Sequence, residues 1–535
     1  MKQPLALVFL CGSLAGCLSQ DTDDSRMPTP STSAPQAVRP ADVTSGTWTP
    51  LPAVPFSSAG MMLLMTDGTL LVSEVSTPRW WRLTPDNMGS YMNGTWSQTA
   101  LMPNNYAPLY FGSGILPDGR VMVEGGEYLN GNSEWTTRGA VYDPVADAWS
   151  NVAPPSGWNS IGDASAVVLP DGTYMQSDCC STNSALLNPA DMSWTPTGVG
   201  KQGDSNDEES WSVLWDGTIL TVDCNNLVNL MASEVYTPST GMWTLGANTA
   251  NKTCDVNSDG SGSRENGPQV VRFDGTVFAV GGTGHNDIYD QTSKTWTAGP
   301  DSPVTPQGQM DSADGPAVLM PNGNELIAMS PGVYGSPTHF YEWDGVSLTQ
   351  VNETPNSPSN SSYNQNFMLL PTGEVLLTDF TPDIELYTPA DGTPFAGAAP
   401  VIQSAPVLVT AQTPDPYIDF YEPNVQGVEK SLALSTLSPG HTYKLQVQRM
   451  NGLSETVAYG DDAQPATNYP LARFTNQTTG HVLYARTHNH SNRAIGPDQV
   501  GTTMFDVPET IEQGLTTFEI VTNGIASPGV IVNIK

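Results

Sequence analysis

The 535-residue chain carries 19 basic against 54 acidic residues, a net charge of −35. So negative a surface excludes nucleic acid and acidic lipid headgroups as partners and leaves cations, neutral sugars and basic proteins. Fifty glycines and 45 prolines, with no long charged amphipathic run, point away from helical bundles and towards an all-β chain rich in turns.

Lys2, the apolar residues 5–10 and the small-residue ending Leu14-Ala15-Gly16-Cys17 read as an export signal. The ending resembles a bacterial lipobox, so residues 1–17 are expected to be a lipoprotein signal peptide with Cys17 the lipidated first residue of the mature chain. A plain secretory signal cut nearby is the alternative. Leu18 rather than an aspartate follows the cysteine, which directs the expectation to the outer membrane or cell surface. Residues 18–45, rich in Ser, Thr, Pro and Asp with almost no apolar content, are expected to be a disordered tether.

Seven turns then recur: Asp67-Gly68, Asp118-Gly119, Asp171-Gly172, Asp216-Gly217, Asp274-Gly275, Asn322-Gly323 and Thr372-Gly373, their glycines 45 to 58 residues apart. Asp-Gly or Asn-Gly between apolar runs signals a hairpin in which both turn residues take positive φ. A period near 50 residues fits kelch-type blades. Residues 46–396 are therefore expected to form a seven-bladed kelch-type β-propeller. A second mark, a strand with tyrosine leading to tryptophan, runs from Tyr142 to Trp149, Leu187 to Trp194, Tyr236 to Trp243 and Tyr289 to Trp296, with a longer copy from Trp81 to Trp96. The sixth copy runs from Tyr341 to Leu348. Tyr387 has no tryptophan downstream and Trp48 has no tyrosine upstream, so residues 46–52 are expected to close the ring as the outer strand of blade seven. Repeat-phased tryptophans are core, which leaves Trp80, Trp135, Trp158 and Trp211 free to meet a ligand.

Export implies an oxidising compartment. Cys179, Cys180, Cys224 and Cys254 allow three pairings. A Cys224–Cys254 bridge would clamp the connection after Trp243 and leave Cys179 and Cys180 to a vicinal disulfide, with a soft metal site the competing view. After the Pro- and Ala-rich stretch 389–405, short alternating runs such as residues 443–447, 482–485 and 518–521 suit an immunoglobulin-like, early-set sandwich over residues 397–535.

The order of tether, seven blades and sandwich resembles the galactose oxidase and glyoxal oxidase family. That resemblance implies copper on the propeller axis, held by a tyrosine cross-linked to cysteine, a second tyrosine, the histidine after it and a histidine from a C-terminal loop. Counting back from the hairpin glycines, the tyrosines correspond to Tyr110 and Tyr363, and the expected histidine is Asn364. The C-terminal histidine corresponds to His488, with His490 close by, which makes Tyr110, Tyr363, His488 and His490 the candidate metal ligands. No cysteine stands at residues 56–59, where the cross-link would need one. The losses argue against a radical oxidase.

Near the same position in other blades stand Asp163, Glu208, Glu265 and Asp314. If the strand starts converge, these carboxylates face one another and suit a cation such as Ca²⁺, sugar hydroxyls or acid–base chemistry. Satisfying strand-end N–H groups is the structural alternative. The leading expectation is a monomeric, lipid-anchored surface protein binding extracellular carbohydrate or another polyol, with Asn364 and both histidines also lining the pocket. A copper-dependent oxidase of primary alcohols or aldehydes and a scaffold for a surface protein are the other two.

Overall fold

The computed structural model describes residues 46–203, 205–410, 435–461 and 465–535. Cys17 and the expected tether lie outside them. No helix among the described residues is long and apolar enough to cross a membrane.

Among the described residues, seven four-stranded antiparallel units follow one another along the chain. The first joins Ala59–Leu64, Leu70–Glu74, Trp80–Thr84 and Thr95–Gln98 in sequence order, and the others repeat this up-and-down path. The opening strands of neighbouring units pack side by side, including Ala59–Leu64 on Asn366–Leu369, first unit on last. This is the architecture of a propeller, and it follows from seven hairpins each apolar on both faces. In the inner strands every residue of Ala59–Leu64, Leu70–Glu74 and Val121–Glu124 is buried.

All seven turn glycines have φ between 76° and 90°. Only the glycine is left-handed, which corrects the expected turn type. The aspartate instead accepts the backbone N–H two residues on, as from Thr69 to Asp67 at 3.0 Å and Thr173 to Asp171 at 2.9 Å. The tyrosine–tryptophan marks are cross-strand partners: Tyr142 opposite Trp149, Tyr236 opposite Trp243, Tyr289 opposite Trp296. Trp48 stands opposite Tyr387, so Thr47–Pro50 completes the seventh unit. In the sixth, Leu348 lies opposite Trp343 rather than Tyr341. Trp80 and Trp211 are buried in the core and unable to meet a ligand, Trp80 packed on Phe111 and Trp149 and Trp211 on Trp243. Trp135 is exposed and Trp158 half-buried.

Two further sheets share a core of Leu445, Val447, Phe474, Phe505, Phe518 and Ile520. They form a sandwich after the propeller. Between them in sequence, Val457–Tyr459 leaves the sandwich and pairs with Pro316–Leu319, the opening strand of unit six. Disulfides join Cys224 to Cys254 and Cys179 to Cys180.

Glu385, in the strand that receives Thr47–Pro50, is fully buried, and among the described residues no N–H or hydroxyl donor reaches either carboxyl oxygen. Burial first, then Asp383 and Asp379, push its pKa from 4.5 up to about 9. Between those values the folded chain keeps a proton that the unfolded chain loses, so stability drains away as pH rises through the window. Glu385→Gln removes the titration. Urea melts are expected to show the variant stabler than the parent at pH 8, by about 1 kcal/mol or more, with the gain shrinking towards pH 5.

Candidate functional site

Tyr110, Asp163, Glu208, Glu265, Asp314 and Tyr363 each stand two to four residues before the opening strand of their unit. Because those strands pack side by side, the preceding residues meet at one end of the ring. Glu208, Glu265 and Asp314 each offer a carboxylate oxygen within 4.8 Å of the others. Burial first, then Glu265, Asp461, Asp314 and Asp207, hold the Glu208 carboxyl well above its usual range. Burial raises Glu265 as well. Two nearby cations are engaged elsewhere. Lys201 sits 2.6 Å from Glu209 and also pairs with Glu234, while the Arg264 guanidinium donates to Asn225 Oδ1 at 2.5 Å.

Tyr334, from the connection after the second strand of unit six, donates its hydroxyl to Glu265 Oε1 and is 41% exposed. Its ring meets that of Tyr363 edge-on at 5.2 Å. Tyr363 O in turn accepts the Tyr459 hydroxyl at 2.6 Å, and the Tyr459 ring stacks on Tyr110 at 6.5 Å. Tyr110 also meets Tyr128 at 6.2 Å and Phe380 at 6.1 Å. Tyr334 thus joins the carboxylates to the group formed by Tyr363, Tyr459 and Tyr110. Tyr110, Glu208, Asp314, Tyr334 and Phe380 all have positive φ, from 47° to 64°. Such backbone costs about 1–3 kcal/mol per residue and gathers where side chains must be aimed rather than merely packed.

The segment around Val457–Tyr459 supplies the C-terminal contribution. Leu319 N donates to Thr456 O at 2.7 Å, Val213 N to Glu455 Oε2 at 3.1 Å, and Ser165 Oγ lies 2.6 Å from Asp461 O. Ser210 Oγ bonds Gly460 O. A Cβ on Gly460 would stand 2.3 Å from Asp314 Oδ1, so only glycine lets the chain pass here. Asp163 stands two residues before Ser165, just ahead of the opening strand of the third unit.

The two histidines are not brought to this mouth. Thr487 N donates to Thr66 O, His490 N to Pro117 O and Arg493 N to Pro170 O, all at the hairpin-turn end of the ring. From Tyr110 to Pro117 the chain covers about 20 Å at ~3.3 Å per residue, so the tyrosines and histidines stand at opposite ends. His488 Nε2 lies 3.1 Å from Asp506 and His490 Nδ1 2.9 Å from Thr503. Burial holds His490 well below its ordinary pKa. Asn364 donates to Asn360 at 3.0 Å. The expected set of Tyr110, Tyr363, His488 and His490 is therefore not assembled, and copper of the kind the resemblance implies does not fit: it would find phenols and carboxylates, with no imidazole from the C-terminal loop and no thiolate beside Tyr110.

Sequence reasoning missed Tyr334, Tyr459 and Asp461. Tyr334 falls between repeat marks and carries no phase. Gly460 set between Tyr459 and two aspartates was a legible sign of close approach, overshadowed by the histidines thirty residues later.

The fold is that of a kelch-type propeller. No family model matches the chain. Over 94 residues, 17% of this chain, it is 33% identical to the Kelch-like protein terF of Aspergillus terreus (strain NIH 2624 / FGSC A1156). That match spans 20% of the relative's own length. Among solved structures, a fungal alcohol oxidase of the AA5 family in complex with copper aligns over 92% of this chain and 99% of its own, at 14% identity and a TM-score of 0.48. Virginiamycin B lyase from Staphylococcus aureus aligns over 64% of this chain and 99% of its own, at 11% identity and a TM-score of 0.44.

Proposed function

We infer that the axial mouth binds a neutral carbohydrate or other polyol without radical chemistry, in a galactose-oxidase-like protein exported and held at the cell surface by a lipid on Cys17. One observation carries the binding: carboxylates from three units lie within 4.8 Å of one another beside the partly exposed Tyr334, whose ring meets that of Tyr363 from the seventh unit. Carboxylates accept hydrogen bonds from hydroxyls, and phenol faces pack on the C–H faces of sugar rings, a combination common in small-molecule sites. A net charge of −35 favours a neutral ligand over an anionic one. The two disulfides agree with an oxidising compartment.

A glycan array followed by calorimetry on the hits tests the reading. The parent protein is expected to bind a neutral glycan. Asp314→Ala and Tyr334→Ala are each expected to weaken it about tenfold or more, the cost of one lost charged hydrogen bond or ring contact. Equal affinity in both variants would place the ligand elsewhere.

A further inference from the structure

We propose that Glu208, Glu265 and Asp314 form a site for one hard divalent cation of the Ca²⁺ class. Their carboxylate oxygens already lie within 4.8 Å of one another. The second observation is Glu265 itself, only 2% exposed. Its Oε1 takes the Tyr334 hydroxyl, but its Oε2 is buried and, among the described residues, meets no N–H or hydroxyl donor, only the neighbouring carboxyl groups of Glu208 and Asp314. A buried carboxylate oxygen without a donor is costly, and a cation between the three carboxylates removes that cost directly.

The available donors select the ion. All are oxygens, as Ca²⁺ requires in its six- to eight-fold shell, with water completing it. Zinc and copper would look for imidazole or thiolate. All six histidines have other partners: Asp301, Glu353, Pro439 O, Glu512, Asp506 and Thr503 for His285, His339, His441, His481, His488 and His490. Lys201 and Arg264, the neighbouring cations, are held by Glu209, Glu234 and Asn225. The chain thus gathers three carboxylates and turns these two cationic side chains away from them.

The cation site shares side chains with the polyol reading but stands without it. Chelator-treated full-length protein is titrated with CaCl₂ alone, no sugar present, by calorimetry, and with Tb³⁺ read through tyrosine-sensitised luminescence. The expected result is one Ca²⁺ per chain, with Ca²⁺ displacing Tb³⁺. Glu265→Gln and Glu208→Gln, near-isosteric and checked by circular dichroism, are expected to lower Ca²⁺ affinity about tenfold or more. Absence of saturable binding, or binding undiminished in whichever of these variants folds, overturns the proposal. Glycan binding measured with and without Ca²⁺ separates the two readings: absence of sugar binding in protein that still binds Ca²⁺ defeats only the polyol, and sugar binding in protein that binds no Ca²⁺ defeats only the cation.

Discussion

Deleting residues 46–50 is expected to cost several kcal/mol of stability, whereas deleting 18–40 leaves the melting temperature unchanged. Thr47–Pro50 pairs with Glu385–Thr388 along its full length, and Leu51 N extends the ladder to Ile384 O at 2.8 Å. Trp48 packs at 4.8 Å from Tyr387 and 4.9 Å from Phe340, and its indole N–H reaches Asn352 O at 2.8 Å. Gly46 is needed because a Cβ there would stand 2.3 Å from the Tyr387 ring. Loss of a packed tryptophan alone costs about 3–5 kcal/mol. Removing the strand adds an exposed edge on the last unit and severs the link between the two ends of the ring. A domain's net stability is about 5–15 kcal/mol, so the deletion consumes much of it. Calorimetric melts of the two deletions decide the matter, and equal transitions would mean that the ring closes without its borrowed strand.

Arg493→Ala is expected to lower stability by about 3–5 kcal/mol in urea melts at neutral pH. The side chain is 1% exposed and lies at the hairpin-turn end, where the sandwich meets the propeller. Its guanidinium donates to Ile115 O at 2.5 Å and to Asn468 Oδ1 at 2.8 Å, and it lies 5.0 Å from the centre of the Tyr469 ring. Burial lowers its pKa only to about 10, so it stays charged at neutral pH. Alanine leaves two buried acceptors without donors and a cavity the size of the lost side chain. Lysine is expected to recover little, since one ammonium cannot span both acceptors. An alanine variant as stable as the parent would show that the two parts hold together without this clamp.

The repeat was legible because a propeller is local. Each hairpin is written in one stretch of about fifty residues, with Asp-Gly marking the turn and a tyrosine marking the strand opposite a tryptophan. Even the closing strand could be read, since Trp48 lacked a tyrosine and Tyr387 a tryptophan. The convergence of Glu208, Glu265 and Asp314 was legible for the same reason: a distance of nine or ten residues from the turn glycine means nearly equal height in the ring. The expectation failed at the C-terminal contribution. A Thr-His pair drew attention to His488, yet the segment bearing Tyr459 and Asp461 is the one that reaches the axis.

By itself, then, the sequence determined what repeats: strand order, turn positions, the seam and the height of the carboxylates. Only the tertiary structure decided which non-repeating segments enter the mouth, because Tyr334 and Asp461 arrive through connections with no phase of their own. It also decided which end each histidine occupies. Those placements follow from packing between segments tens to hundreds of residues apart, and no local pattern of side chains encodes them.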